Sequence, residues 1–341
     1  MTKLSVLMPV RDAEPFLGQA LDCVLAQSEG DFELIAVEDG SSDRSRETLE
    51  TYAKGDGRIR VLQTDVGRRG LVAALNLGLK ACRAPLVARM DADDRCPSNR
   101  FALQLAALAS RPELFAVTSQ VEAFPTEQLR DGMRRYLAWQ NSLLSPARII
   151  RDRFVESPLV HPSVMMRTEP LRSLGGWRQN GWAEDWDLWL RAFERGLSIG
   201  RVAQPLYQWR LHPRRATLTD PRYSEESFLA CRAHFLARHL AAGKRALWLL
   251  GAGPVGKRLA RALAKEGLVV AGFADVDPKK IGGRIANNGD GWPVVSMQDL
   301  LGLGSRPFGL GSVGQAGGRE QLRAELLEAG WKEGRDFLVA A

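Results

Sequence analysis

The 341-residue chain is 45% hydrophobic and carries a formal charge of +7. Its length suits about two domains, no apolar run approaches the ~20 residues that cross a bilayer, and the opening Met1–Pro9 is too short and wrongly flanked for a secretory signal. The surplus charge is mostly arginine, dense over residues 130–153 and 201–238. Aromatic residues are not interleaved there as a stacking platform requires, which argues against nucleic acid and leaves a phosphate-bearing substrate, an anionic membrane surface or solvated helix faces.

Read in chain order, residues up to about 125 alternate strand-like and helix-like segments. Leu4–Val10 is a short apolar run, Glu14–Gln27 has helical spacing, and Phe32–Glu38 is a second strand closed by a loop in which Asp39 or Ser42 could cap a helix over Arg44–Tyr52. Ile59–Gln63, Leu71–Ala81, Pro85–Met90 and Pro97–Ala109 continue as strand, helix, strand, helix. This alternation predicts an α/β fold with a mostly parallel, covered sheet, whose ligands bind beyond the carboxyl ends of strands. A further strand and a basic helical stretch occupy residues 117–153, His161–Arg167 reads as a late strand, and Glu184–Arg195 as an amphipathic helix with acids in its first turn. The domain boundary is expected near Ala241–Lys244, giving domains 1–243 and 244–341. The four cysteines, Cys23, Cys82, Cys96 and Cys231, lack metal-like spacing and suit free thiols in a reducing cytoplasm.

Three acidic clusters carry the chemistry. Asp91-Ala92-Asp93-Asp94 sits at a strand exit, where Asp91 and Asp93 can offer oxygens to one hard cation, Mg²⁺ or Mn²⁺, with substrate phosphates completing the shell. A helix N-terminus favoured by acidic residues is the plainer alternative. Asp39, in Glu38-Asp39-Gly40-Ser41-Ser42-Asp43, could accept a hydrogen bond from a nucleobase or ribose, or simply form a turn before glycine. Glu184 and Asp185 open a helix, where one carboxylate could serve as a general base; Asp187 reads as structural. His212 could join the metal shell or contact a diphosphate beside Arg210.

Together these segments resemble the family 2 glycosyltransferases of the GT-A fold. The resemblance runs from Lys3 to Pro213 and rests on Leu4–Val10, on Asp31–Asp43, on Arg89–Asp94 as the DxD element, and on Ala183–Trp189 as the glutamate-aspartate element, with weaker matches at His161–Met165 and Tyr207–His212. It implies that Pro9, Asp39, Arg69, Asp91, Glu184 and Arg210 surround a nucleotide sugar, that Asp91, Asp93 and His212 hold a divalent metal, and that Asp185 deprotonates the acceptor hydroxyl. The implied reaction is a single displacement with inversion, from a nucleotide sugar, most plausibly a UDP-sugar, to a hydroxyl of a glycan or glycolipid in polysaccharide synthesis. Glu38 replaces a frequent aspartate, and Val66–Gly70 replaces an asparagine-glycine turn, leaving contacts there open. Neither a Gln-x-x-Arg-Trp motif nor membrane helices occur, so a non-processive, cytoplasmic enzyme follows, which could rest on an anionic membrane surface or form a homodimer.

Beyond residue 244, Gly251-x-Gly253-x-x-Gly256 follows a strand, opens a helix and precedes Asp275 at the end of a second strand. That context suits a Rossmann-like module binding NAD(P) or another nucleotide, or one that is structural or dimerising. Two other functions therefore stand beside sugar transfer: an NAD(P)-dependent oxidoreductase and a non-catalytic nucleotide-sugar-binding protein.

Overall fold

A computed structural model describes every residue except Met1, Lys244, Asn288 and Ala316. Lys244, the residue at which the sequence suggests that a second domain opens, thus lies outside the described residues. The chain divides into two compact units: Met1–Ile150, Pro158–Asn180 and Glu184–Asp220 form the first; Arg151–Ser157, Gly181–Ala183 and Pro221–Ala341 form the second.

In the first unit, β1 (Leu4–Val10), α1 (Glu14–Leu25), β2 (Phe32–Glu38), α2 (Ser45–Gly55), β3 (Ile59–Gln63), α3 (Leu71–Ala81), β4 (Leu86–Arg89) and α4 (Arg100–Ser110) follow one another as the sequence pattern suggests. Then come β5 (Leu114–Phe124), α5 (Asp131–Ser142), α6 (Pro146–Arg151), β6 (Met165–Arg167), α7 (Thr168–Ser173), α8 (Glu184–Glu194), β7 (Ser198–Arg210) and α9 (Ala216–Thr219). The seven strands stand in the order β3-β2-β1-β4-β6-β5-β7. β1 pairs in parallel with β2 and β4, β6 runs antiparallel to β4 and β5, and β7 is parallel to β5.

Both faces of this sheet are covered, which is why β2 is buried along its whole length. The side-chain alternation of a strand separates two cores. Leu4, Val6 and Met8 join Leu17, Leu21 and Phe101 on one face, whereas Leu7 joins Ile35, Val37, Leu75, Val87 and Trp189 on the other.

Two local readings need correction. Neither Asp39 nor Ser42 caps α2. Ser42 donates its hydroxyl to Asp12, Asp39 is engaged elsewhere, and Asp43 Oδ1 accepts from the Ser45 N–H at 2.9 Å. His161–Arg167 is not one strand, because residues 161–163 form a 3-10 turn and only Met165–Arg167 pairs. Pro162 has no N–H to give a ladder, and the His161 ring is held by Trp177.

The second unit contains α10 (Glu225–Leu240), β8 (Leu247–Leu250), α11 (Pro254–Lys265), β9 (Val270–Asp275), β10 (Arg284–Ile285), β11 (Trp292–Ser296), α12 (Met297–Leu301), β12 (Phe308–Gly311), α13 (Gly318–Glu328) and β13 (Phe337–Val339). Its six strands run β10-β11-β9-β8-β12-β13, all parallel except β10, and the order reverses at β8, the Rossmann-like arrangement. Among the described residues no helix is long and apolar enough to cross a membrane.

Candidate active site

β1 is the reference for the site. Its two parallel neighbours are β2 and β4, so the residues that follow them, Asp39 and Asp91, leave the sheet at one carboxyl edge on either side of Val10. The Asp39 N–H donates to Val10 O at 2.9 Å, and the Met90 N–H to Leu7 O at 3.1 Å. Pro9, half-buried, pairs with Val37 near the same edge.

Asp39 is only 3% exposed. Its carboxylate accepts from the Gly70 N–H at 2.9 and 3.0 Å and from the Thr64 hydroxyl at 2.8 Å. It therefore anchors the segment between β3 and α3, and that segment lays the exposed Arg69 guanidinium against Gly40. Gly40 has φ +72°, and a β-carbon there would collide with Arg69.

The acidic cluster is asymmetric. Oxygens of Asp91, Asp93 and Asp94 lie within 4.8 Å of one another. Asp94 is 1% exposed and accepts from the Tyr207 hydroxyl at 2.7 Å and the Arg210 N–H at 2.6 Å. Burial, reinforced by Asp93 and Asp91, pushes its pKa well above the ordinary carboxylate range. Asp91 and Asp93 each keep 30% side-chain exposure. Asp91 Oδ1 accepts from Arg89 at 2.6 Å, and Asp93 Oδ2 meets His212 Nε2 at 2.8 Å. His212 Nδ1 is buried without a hydrogen-bond partner. The two carboxylates that still face outward are thus those at the ends of the DxD element, the pair suited to a hard cation.

Arg210 is held beside the cluster by stacking and by hydrogen bonds. Its guanidinium is sandwiched between Phe16 and Phe124, at 4.6 and 4.5 Å from the ring centroids. It donates to Asp93 O at 2.6 Å and to Gln19 at 2.8 Å. These bonds brace the cluster against α1.

The third cluster is joined to the second through His161. β6 runs antiparallel to β4, and the Arg89 N–H donates to Val164 O at 2.9 Å, which brings the preceding turn to the carboxyl end of β4. His161 Nε2 accepts from Trp177 Nε1 at 2.9 Å, while Nδ1 faces Glu184 at 3.5 Å. That pairing selects the neutral tautomer with its proton on Nδ1. Burial, with Arg89 adding, holds the ring's pKa below the ordinary histidine value, against the pull of Glu184 and Asp91. Of the α8 acids, Glu184 and Asp187 are each 1% exposed, and Asp187 accepts from Arg191 at 2.6 Å. Asp185 is partly exposed, with Oδ1 accepting from the Trp186 N–H at 2.7 Å.

Sequence reasoning placed Arg89, Asp94 and Tyr207 within motifs but gave none of them a role of its own. Arg89 is 1% exposed and neutralises Asp91 from beneath. Its position, a charged residue ending an apolar strand, was the available signal.

In the second unit, Gly251 has φ +114°, and a β-carbon on Gly256 would collide with Gly251 O. Asp275 accepts from the Ala252 N–H at 2.7 Å, the Asp277 N–H at 2.9 Å and Lys280 Nζ at 3.1 Å. Burial raises its pKa, but the two backbone donors and the lysine outweigh burial and hold it below the ordinary value. The oxygens that would receive a ribose are thus spent within the chain, and the nicotinamide reading gains no support.

Residues 5–175 match the model of glycosyl transferase family 2. EpsJ of Bacillus subtilis, a glycosyltransferase by name, is 42% identical over 98 residues, 29% of this chain and 28% of that protein. The Escherichia coli UDP-Gal:alpha-D-GlcNAc-diphosphoundecaprenol beta-1,3-galactosyltransferase is 29% identical over 231 residues, 66% of this chain and 76% of that protein. Among solved structures, Staphylococcus aureus TarS 1–349 in complex with UDP-GlcNAc is similar with a TM-score of 0.54 at 16% identity, over 77% of this chain and 80% of that one. The mannosyltransferase PcManGT of Pyrobaculum calidifontis, in complex with GDP-Man and Mn²⁺, gives 0.50 at 18% identity, over 78% and 70%. At these identities the structures establish the fold.

Proposed function

This chain belongs to glycosyl transferase family 2, and we propose that it transfers one sugar from a UDP-sugar to a hydroxyl of a glycolipid or growing polysaccharide, inverting the anomeric centre. The observation that supports this reading is that Asp39 and Asp91 follow β2 and β4 at one carboxyl edge of the sheet, on either side of β1, with Asp185 adjoining the Glu184–His161 pair that Arg89 and Asp91 influence. Asp185 is the general base in this scheme, since its two acidic neighbours on α8 are buried and it is not. Asp39 shapes the pocket for the base by holding the Thr64–Gly70 segment.

The outward Asp91 and Asp93 carboxylates, with the His212 ring bonded to Asp93 and its Nδ1 unpartnered, fit a divalent cation, Mn²⁺ or Mg²⁺. Such an ion supplies charge neutralisation for a departing diphosphate. Tyr207 and Arg210 keep the carboxylates in place, and Arg89 donates to Asp91 at 2.6 Å.

The E. coli relative is named for a lipid-linked acceptor. An acceptor of that kind suits a cytoplasmic enzyme whose arginine-rich stretches rest on an anionic lipid surface. A donor screen tests the core of the proposal: thermal stabilisation by UDP, GDP and dTDP, each with and without Mn²⁺, followed by product analysis with the preferred sugar nucleotide. Asp185→Asn is expected to retain nucleotide binding and lose transfer. A variant that still transfers sugar at the wild-type rate refutes the assignment of the base.

A further inference from the structure

Arg215, half-buried, keeps two side-chain donors unmet. Its Nε and Nη1 atoms are buried and have no hydrogen-bond partner. Its guanidinium carbon stands 5.7 Å from the centroid of the Trp209 ring, at the end of β7. Asp94 and Asp93 are near enough to act on its charge, as is Arg130. Buried guanidinium donors are ordinarily spent on carbonyls or carboxylates, because an unmet donor forfeits its hydration for no return. Arg100, Arg191 and Arg201 follow that rule, each donating to backbone carbonyls from buried positions; Arg89 leaves only its Nε unmet, its other two nitrogens being bonded to Met90 O and Asp91.

Arg210, by contrast, was the arginine expected to meet a phosphate, and its Nε and Nη2 are committed to Asp93 O and Gln19. The two arginines lie five residues apart on either side of His212, and of the two it is Arg215 whose unmet donors are buried. A guanidinium presents a planar fork that matches phosphate oxygens two at a time. We propose that Arg215 is the arginine that grips the diphosphate of the nucleotide-sugar donor, through the Nε and Nη1 pair left unsatisfied beside the acidic cluster. The assignment rests on the sugar-transfer reading above and adds to it the residue that separates a nucleoside diphosphate from its nucleoside. Arg210 becomes a positioning residue that holds the Asp93 backbone.

The test uses the full chain with Mn²⁺ and calorimetric titration of UDP, GDP and dTDP, together with the parent nucleosides as competitors. Arg215→Met is expected to weaken the preferred diphosphate by about 10- to 100-fold, the worth of one charged hydrogen-bonding group, and to leave the nucleoside unchanged. Arg215→Lys, which keeps charge without the fork, is expected to fall between. The melting temperature without ligand is expected to hold or rise in Arg215→Met, since two unmet donors are removed. Diphosphate affinity within about twofold of wild type overturns the assignment, as does a lowered melting temperature with affinity intact, which marks a structural arginine. Should Arg215→Met fail to fold, the Arg215→Lys titration alone decides by the same criterion. If wild-type protein binds none of the three diphosphates, the donor reading itself fails; if it binds one and the variants bind it equally, only the Arg215 assignment falls.

Discussion

Tyr207 donates its phenolic hydrogen to Asp94 Oδ2 at 2.7 Å and accepts the Asp91 N–H at 3.2 Å, so one buried hydroxyl clamps both ends of the acidic cluster. Removing it leaves Asp94 with one fewer donor in a site where burial already disfavours charge. Tyr207→Phe is expected to cost about 1–3 kcal/mol of stability and to loosen Asp91 relative to Asp93. Urea unfolding and Mn²⁺ titration in the presence of nucleotide measure the two effects. A variant with wild-type metal response shows that the clamp does not set the spacing of the carboxylates.

His161 makes stability depend on pH with a definite sign. Burial lowers its pKa below the ordinary value, so the folded chain binds fewer protons than the unfolded chain through the window beneath about 6.5. Its contribution is complete above that window and is lost as pH falls through it. Wild type is therefore expected to lose more stability than His161→Gln between about pH 7.5 and 5.5. Glutamine keeps an acceptor for the Trp177 indole. Denaturation midpoints at matched pH test this, and parallel pH profiles for the two proteins exclude His161 as the origin.

Asp39→Ala removes the acceptor of both the Gly70 N–H and the Thr64 hydroxyl. The Asp65–Gly70 segment then loses its anchor, and Arg68 and Arg69 on it are already exposed. Tryptic cleavage after these arginines is expected to accelerate several-fold, because proteolysis follows the population of locally open states. Unchanged cleavage indicates that α3 fixes the segment without Asp39.

How much of this was legible in the sequence follows from the range of each interaction. Strands β1, β2 and β4 show as apolar runs because they are covered on both faces, and their acidic exits could be placed at one edge from the parallel alternation alone. The DxD element was visible for the same reason. The division of labour within it was not: Asp94 is made structural by Tyr207 and Arg210, more than a hundred residues downstream. Likewise the insertion of β6 between β4 and β5 reverses direction, which no local periodicity announces. The charge of Arg210 is local information, while its stacking between Phe16 and Phe124 is not.

The second unit offers a prediction independent of sugar transfer. Gly256 lies in the first turn of α11, where that turn passes over the end of β8, and an added β-carbon meets both Gly251 O and, at 2.7 Å, Ser312 Oγ. Ser312 Oγ itself donates to Leu250 O and Gly251 O at 3.2 Å, so the obstacle is a knot of backbone rather than a yielding side chain. Gly256→Ala is expected to push α11 away from the sheet at a cost of about 1–3 kcal/mol. Because the strain is local, amide exchange should quicken along Leu247–Leu250 and stay unchanged along Leu4–Val10. Equal acceleration in both strands contradicts a local effect, and no acceleration in either shows that the helix can shift without loss. Asp275→Asn acts on the same loop from the other side, by weakening its hold on the Ala252 N–H. With both oxygens spent on the chain, that variant is expected to lower the denaturation midpoint of the module whether or not a nucleotide is present. A destabilisation that appears only when nucleotide is added indicates instead that Asp275 serves a ligand.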